Sequence, residues 1–297
     1  KGGLKEYRTV ERKLDEVKKF TKDYSYYARP KKNGFEVELL KNHKRQVVKS
    51  LWIGHHLNQL SELAIMSWLR LDYQVELYIE QLNLPKYMDK YRQSGQLLFK
   101  SAKTIMPYNE GAEILPFSDL FRYKLLHREG GIWLDADMVL LKRLPPDEII
   151  ISSEHTFVKG AFKSTLPFVP NIGVLKFNKG DQFLENLIFK IENSKKVAEF
   201  CDNMIVFRKM LKNHEYFDNV AKPEDYCVLP WWQCKEMYMG DTYKEKYGVI
   251  TPSNNDMIDD AIGIHMWNNF THNKHDIAFH EVHSNSLYKR LCNIIYN

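Results

Sequence analysis

Two carboxylates lie two residues apart at Asp135 and Asp137, directly after the apolar run Ile132-Trp133-Leu134. In an extended chain, side chains two apart point to the same side, so both can aim at one point in space. Carboxylates that close repel each other unless a cation or a shared proton sits between them. Oxygen ligands of this kind suit Mn²⁺ or Mg²⁺, ions that one or two carboxylates hold together with substrate phosphates. The plain alternative for a bare Asp-x-Asp is an acidic strand end facing water. Asp119, Arg122 and Tyr123, three and four residues apart, would share one face of a helix just upstream.

The elements that must position these groups can be read around them. Phe117, Leu120, Phe121 and Leu125 form an apolar helical stripe, with Ser118 as candidate N-cap. Gly130-Gly131 ends that helix and turns the chain into the core strand Ile132–Leu134, which carries the Asp pair at its mouth. A first strand is expected at Gln46–Gly54, a helix over 60–71 and an alternating strand at Gln74–Ile79. That order is a right-handed crossover, which builds a parallel sheet. Trp52 ends the first strand and reads either as core or as a stacking platform for a nucleotide base.

Further along, a helix is expected over 86–98, short strands at 149–151, 156–158 and 171–177, and helices over 181–191 and 197–211. Leu229–Cys234 reads as an aromatic loop or strand, and a closing helix covers 286–296. The last strand, 261–267, turns His265 and Trp267 to one face, ahead of Asn268 and Asn269. A lone strand histidine is usually structural, but here an Asp pair already wants a third ligand. Residues 1–45 read as an N-terminal helical extension: an amphipathic helix, a turn at Tyr24–Tyr27 and a basic loop at Arg29–Lys32. Residues 46–297 read as one α/β domain.

The composition bounds the class. With 297 residues, 44% hydrophobic and 27% charged, the chain can bury an ordinary core. A net charge of +5 suits an anionic ligand or a membrane surface; it is weak evidence for nucleic acid, which is not expected as a partner. The aromatic share of 13% suits sugars and bases. Neither a GxGxxG nor a GxxxxGK[ST] pattern occurs. Cys201, Cys227, Cys234 and Cys292 show no metal spacing and read as thiols in a reducing compartment. No apolar run reaches bilayer length, and no signal-peptide pattern is read at the start.

Ser118-Asp119-Leu-Phe-Arg122-Tyr123, then Gly130-Gly131, then Trp133-Leu-Asp135-Ala136-Asp137 resembles the signature of DXD-containing sugar transferases. These include bacterial polysaccharide glycosyltransferases, yeast-type initiating mannosyltransferases and α-1,4-galactosyltransferases. The segment is also similar to that of the large clostridial glucosylating toxins. Leu51-Trp52-Ile53-Gly54 resembles their first strand, and Ile264-His265-Met-Trp267-Asn268 the close of the α-1,4-type enzymes. The resemblance implies a GT-A, Rossmann-like fold with a mostly parallel central sheet, a divalent metal, and retention of anomeric configuration. The donor it implies is a nucleotide-sugar, a UDP-sugar by preference. It puts Asp119 and Arg122 on the donor sugar, Asp135 at the ribose or sugar and Asp137 on the metal. Trp52 would stack on the base, and His265 with its neighbours would complete the metal–diphosphate site. Tyr123, Ala136, Trp267 and Asn268 would line the donor, alongside Ile53 and Gly54.

The expected partners are that donor and a glycan, lipid-linked glycan or protein acceptor, with peripheral membrane contact compatible with the charge. Acceptor specificity is expected from loops 155–172 and 229–245. The expected place is the cytoplasm or the inner membrane face, or the Golgi lumen for a eukaryotic source, and the role is glycan or polysaccharide assembly. Three rival readings stand beside this one. A HAD-type phosphohydrolase would use Asp135 and Asp137 with Asp259-Asp260 as a late acidic pair. A silent carbohydrate-binding protein would keep the fold without turnover. A toxin-like enzyme would glycosylate host proteins.

Overall fold

The computed structural model describes residues 24–31, 34–41, 45–80, 83, 85–109, 111–156, 168–194, 202–239, 259–269 and 282–296. The chain divides into two compact units, Lys1–Gln46 and Val47–Asn297. In the first, β1 (Tyr24–Lys31) and β2 (Gly34–Lys41) form an antiparallel pair, with Tyr24 opposite Lys41 and Lys31 opposite Gly34. The turn expected at Tyr24–Tyr27 is therefore strand, and so is Arg29–Lys31 of the expected basic loop. Aromatic residues favour extended backbone as readily as turns. The helix expected upstream lies outside the described residues.

The second unit is α/β. In chain order it holds β3 (Val47–Trp52), α1 (Gln59–Arg70), β4 (Gln74–Ile79), α2 (Asp89–Gln93), β5 (Leu97–Ser101) and α3 (Ile114–Glu129). Then follow β6 (Gly131–Leu134), β7 (Met138–Leu140), β8 (Ile150–His155), β9 (Phe168–Phe177), α4 (Gln182–Glu192) and α5 (Asp202–Leu211). Two single-turn helices, α6 (Pro223–Tyr226) and α7 (Glu236–Met239), precede β10 (Gly263–His265) and α8 (Leu287–Tyr296).

Six strands form one sheet in the order β5-β4-β3-β6-β9-β8. The pairs from β5 to β6 are parallel, and β9 runs against both of its neighbours. This is the mostly parallel central sheet expected. Parallel strands buried on both faces need apolar residues on both sides. Val48, Leu77, Ile132, Leu134 and Val174 enter one core with Leu60, Leu63 and Trp68 of α1 and Leu291 of α8. Leu51, Tyr78, Trp133, Leu175 and Phe177 enter the other, with Phe121, Phe183 and Phe207 of α3, α4 and α5.

Two expectations fail here for local reasons. The helix expected over 86–98 stops at Gln93, and Leu97–Ser101 is an edge strand paired to β4; Ser94-Gly95 breaks the helical run. Leu229–Cys234 is neither strand nor open loop, because Trp231–Gln233 forms a 3-10 turn behind Pro230. Part of the expected strand at 156–158, parts of both expected acceptor loops and the start of the expected 197–211 helix lie outside the described residues. Among the described residues no helix is long and apolar enough to cross a membrane.

Helix α3 begins at Ile114, five residues earlier than a Ser118 cap would place it, and Pro116 sits in its first turn, where no N–H is needed. Ser118 therefore lies inside the helix instead of capping it. The helix ends at Gly130 (φ 64°), and β6 starts at once. Helix α1 opposes it across the sheet, capped by Asn58, whose Oδ1 accepts from the Ser61 N–H at 2.9 Å.

Candidate active site

The strand β6 stops at Leu134, so Asp135 and Asp137 stand in a tight turn, not on the strand. The Met138 N–H donates to the Asp135 carbonyl at 2.8 Å and closes that turn. The two carboxylates still converge, because the turn folds one back beside the other. Its edges are clamped. Asp135 donates its N–H to the Gly173 carbonyl at 2.8 Å. From α1, the buried Trp68 indole donates to the Met138 carbonyl at 2.7 Å, and Ser67 Oγ accepts the Leu140 N–H at 2.9 Å.

A short ribbon supplies the third group. β7 pairs antiparallel with β10, with His265 opposite Met138. This register brings the imidazole to the turn: His265 Nε2 lies 3.2 Å from Asp137 Oδ1 and 4.0 Å from Asp135 Oδ2. One donor atom from each of Asp135, Asp137 and His265 falls within 4.8 Å of the others. Two carboxylates and one imidazole are an N/O donor set suited to a divalent ion such as Mn²⁺. The residues fit a metal site.

Backbone and rings fix the set. His265 stacks on Trp267 with centroids 4.0 Å apart, and its Nδ1 lies 3.8 Å from the buried Cys227 Sγ. Trp267 takes φ 53°, rare for a bulky residue, while its indole donates to the Leu229 carbonyl at 2.8 Å. The bend lets the next N–H, that of Asn268, donate to Asp137 Oδ2 at 2.7 Å. Burial alone would push the Asp137 carboxyl up; the facing His265 and the Asn268 N–H overcome it and hold it below the usual carboxylate value. Burial would push the imidazole down, but Asp137 holds His265 well above its ordinary value.

Arg122 is the hub on the other side. Its Nη1 donates to Asp135 Oδ1 at 2.7 Å and to the Ile172 carbonyl at 2.8 Å. Its Nη2 donates to Ser118 Oγ at 3.0 Å and lies 3.2 Å from Asp119 Oδ1. Trp133 flanks it: the guanidinium sits 4.9 Å from the ring centroid, and the indole donates to Asp135 Oδ1 at 2.8 Å. Asp119 is buried, and that burial pushes its carboxyl up to about 7 in spite of Arg122.

β9 forms the floor. A Cβ on Gly173 would meet Asn171 Oδ1 at 2.9 Å, and Asp135 Oδ2 and His265 Cε1 each at 3.3 Å. Asn171 Oδ1 accepts the Gly173 N–H at 2.7 Å, and its Nδ2 donates to Glu154, which pairs with Arg208 at 2.8 Å. This buried chain holds the floor in register.

Residues 10–156 match the family described as "Glycosyltransferase sugar-binding region containing DXD motif". The chain carries a DXD glycosyltransferase domain. No curated protein matches the sequence. Among solved structures, "PaToxG Glycosyltransferase" is similar at 13% identity over 73% of this chain and 79% of that one, with a TM-score of 0.39. The glycosyltransferase GlyE of Streptococcus pneumoniae is similar at 14% identity over 75% and 55%, with a TM-score of 0.40. The UDP-bound glycosyltransferase domain from the YGT toxin is similar at 11% identity over 57% and 67%, with a TM-score of 0.32.

The glycosyltransferase brings together most of the residues singled out from sequence. Asp119, Arg122, Asp135, Asp137 and His265 form one contiguous network, with Ala136 half-buried in the turn and Trp267 and Asn268 beside it. Trp52, Ile53 and Gly54 lie at the C-terminal end of β3, the same sheet edge as the Asp turn, since β3 and β6 run parallel. Trp52 is half-buried, and its indole donates to the His56 carbonyl at 3.1 Å. Gly54 takes φ 146°, open to glycine and strained for other residues. Tyr123 is fully buried, with its ring stacked on Phe207 at 5.8 Å. That makes it a core residue of α3, screened from direct contact with a donor. Sequence reasoning missed Asn58, Asn171, Gly173 and Cys227 as parts of this neighbourhood. A polar Asn and a Gly inside the apolar run Asn171–Phe177 were the available signal for two of them.

Proposed function

We propose that this glycosyltransferase moves a hexose from a UDP-sugar to a hydroxyl of a glycan, with a bound Mn²⁺ or Mg²⁺ and with retention of configuration, in glycan or polysaccharide assembly. The observation that carries the reading is the convergence of Asp135, Asp137 and His265 beside a buried Arg122. The resemblance of the DXD segment to sugar transferases supports the donor class and the stereochemistry.

Breaking a sugar–diphosphate bond builds negative charge on the departing phosphate. Asp137, His265 and Asp135 would hold a divalent ion, which when bound would supply a Lewis acid for that charge. Arg122 orients Asp135 through the 2.7 Å bond and keeps positive charge buried beside it. Asp119, held beside Arg122 at 3.2 Å, would accept hydrogen bonds from sugar hydroxyls. Trp52 at the sheet edge offers an aromatic face to the base. The Asn268 N–H, already aimed at Asp137, fixes the carboxylate so that little reorganisation is left for the reaction itself.

The phosphohydrolase reading loses its second acidic pair. Asp259 and Asp260 lie at the far end of the β7–β10 ribbon from His265, where Lys142 Nζ donates to their carbonyls at 2.7 and 3.1 Å. The test of the proposal is a thermal-shift panel of UDP- and GDP-sugars, each with Mn²⁺ and with EDTA. A ligand bound only by the folded state stabilises it by RT ln(1 + [L]/Kd) and so raises Tm. A UDP-sugar shift that vanishes with EDTA is the expected result; a shift equal in EDTA overturns the metal assignment.

A further inference from the structure

Asn58, at the start of α1, uses the two ends of one amide for two different purposes. Its Oδ1 accepts the Ser61 N–H at 2.9 Å, while its backbone carbonyl accepts the Glu62 N–H at 2.9 Å, the first bond of the helix. Its Nδ2 donates to Asn268 Oδ1 at 2.8 Å, across 210 positions of sequence. A cap needs only the oxygen, and aspartate or serine serves there as well as asparagine. The amide nitrogen is superfluous for the helix, and it bonds Asn268 instead. The Ser61 N–H also settles how the amide faces: only an oxygen can accept there, so the nitrogen must turn to Asn268. Asn268 must then meet it with its own oxygen.

Asn268 is the residue whose N–H donates to Asp137 Oδ2 at 2.7 Å. It follows Trp267, whose φ of 53° persists only where the surroundings hold it. One hold is the Trp267 indole on the Leu229 carbonyl, and the next residue is held by Asn58. The same helix grips the other strand of the ribbon, with Trp68 on the Met138 carbonyl and Ser67 on the Leu140 N–H. Helix α1 therefore ties down both the strand that follows Asp137 and the segment that follows His265. We infer that Asn58 is a positioning residue for the metal-binding carboxylate: through Asn268 it holds the N–H that fixes Asp137. Partners behind a ligating group set metal affinity by orienting it. This inference rests on the reading of Asp137 as a metal ligand.

Asn58→Ser separates the two purposes, because a hydroxyl keeps the cap and has no amide nitrogen to reach Asn268. Hydrogen exchange by NMR on the metal-free protein reads the tie directly. In the variant the Ser61 amide is expected to keep its protection, while the Asn268 amide exchanges about tenfold faster or more. With UDP present, Mn²⁺ affinity, read from the EPR signal of free Mn²⁺, is expected to fall about tenfold, the low end for a lost outer partner. Asn268→Ala keeps the N–H but removes the oxygen that Asn58 bonds. It is expected to lose at least as much affinity, and adding Asn58→Ser to it is expected to cost nothing further. A residue that only caps the helix would leave Asn268 exchange and Mn²⁺ affinity alone. Unchanged Asn268 exchange in Asn58→Ser overturns the inference, as do losses of Mn²⁺ affinity that add in the double variant. A wild type that binds no Mn²⁺ with UDP overturns the metal reading instead, and Asn268 exchange in the metal-free protein still decides whether Asn58 holds that N–H.

Discussion

Asp137 and His265 meet at 3.2 Å, carboxylate against imidazole, both screened from water by the β7–β10 ribbon and the Trp267 ring. Without a metal the pair is an ion pair: the carboxyl is held low and the imidazole is held well above its ordinary value. The signs for stability follow. The raised His265 contributes stability that is fully present below its unfolded pKa and lost as pH rises through the folded one. The lowered Asp137 contributes stability present above its unfolded pKa and lost as pH falls through the folded one.

A divalent ion must replace the His265 proton, because only neutral imidazole ligates. Metal affinity is therefore expected to rise with pH up to the raised His265 value, and Mn²⁺ binding at pH near 7 is expected to release about one proton. Calorimetry in two buffers of different ionisation enthalpy reads the proton directly. Binding with no proton release removes His265 from the ligand set.

Gly173 tests how little room the floor allows. Its φ is not in the left-handed region, so Gly173→Ala adds no backbone strain, only a methyl pressed on Asn171, Asp135 and His265. Overpacking of this kind costs about 1–3 kcal/mol. The variant is expected to fold, with a Tm lowered by several degrees, and to lose most of its Mn²⁺-dependent donor binding. Unaltered donor affinity in the variant would show that Asp135 and His265 can step back freely and do not act together.

The asymmetry between what was legible and what was not has a physical source. Asp119, Arg122, Asp135 and Asp137 stood out because local spacing fixes their relation, within one helix and one turn. The turn reads as strand from sequence, yet both geometries bring the two side chains together. His265, a candidate third ligand from sequence, does lie beside the Asp pair, but the ribbon that delivers it is not legible there, since the register of β7 against β10 joins residues more than a hundred positions apart. Tyr123 shared a helical face with Arg122 on paper; a helix packed between a sheet and two other helices buries more than one stripe, and Phe207 claims that ring. The N-terminal hairpin was missed although Phe35, Val37 and Leu39 alternate with Glu36 and Glu38 in its second strand, the period-2 signal of a strand.

Trp52 offers a test of the base-stacking role. Its indole N–H is already bonded to the His56 carbonyl, which leaves the ring anchored at the sheet edge where the Asp turn opens. Trp52→Ala is expected to weaken UDP binding by about 1–3 kcal/mol, the loss of one base–aromatic stack. Because the ring also packs against the core below β3, Tm should fall as well. Isothermal titration of free UDP with Mn²⁺ separates the two effects: reduced stability with full UDP affinity would make Trp52 a packing residue only.

Arg122→Lys asks whether charge alone suffices. The guanidinium makes directed contacts to Asp135, Ile172 and Ser118 and lies against Trp133, a geometry a single ammonium cannot reproduce. A lysine keeps the charge but leaves the Ile172 carbonyl, the Ser118 hydroxyl or Asp135 unpaired in a buried setting, at about 1–3 kcal/mol for each group left unsatisfied. Transfer is expected to fall by about two orders of magnitude, the scale on which loss of one preorganised donor is felt. Mn²⁺ affinity should fall less, because Asp137 and His265 remain in place. A variant with wild-type kcat and lowered Tm would reduce Arg122 to a structural tie between α3 and β9, and the charge at the leaving phosphate would then have to come from elsewhere in the site.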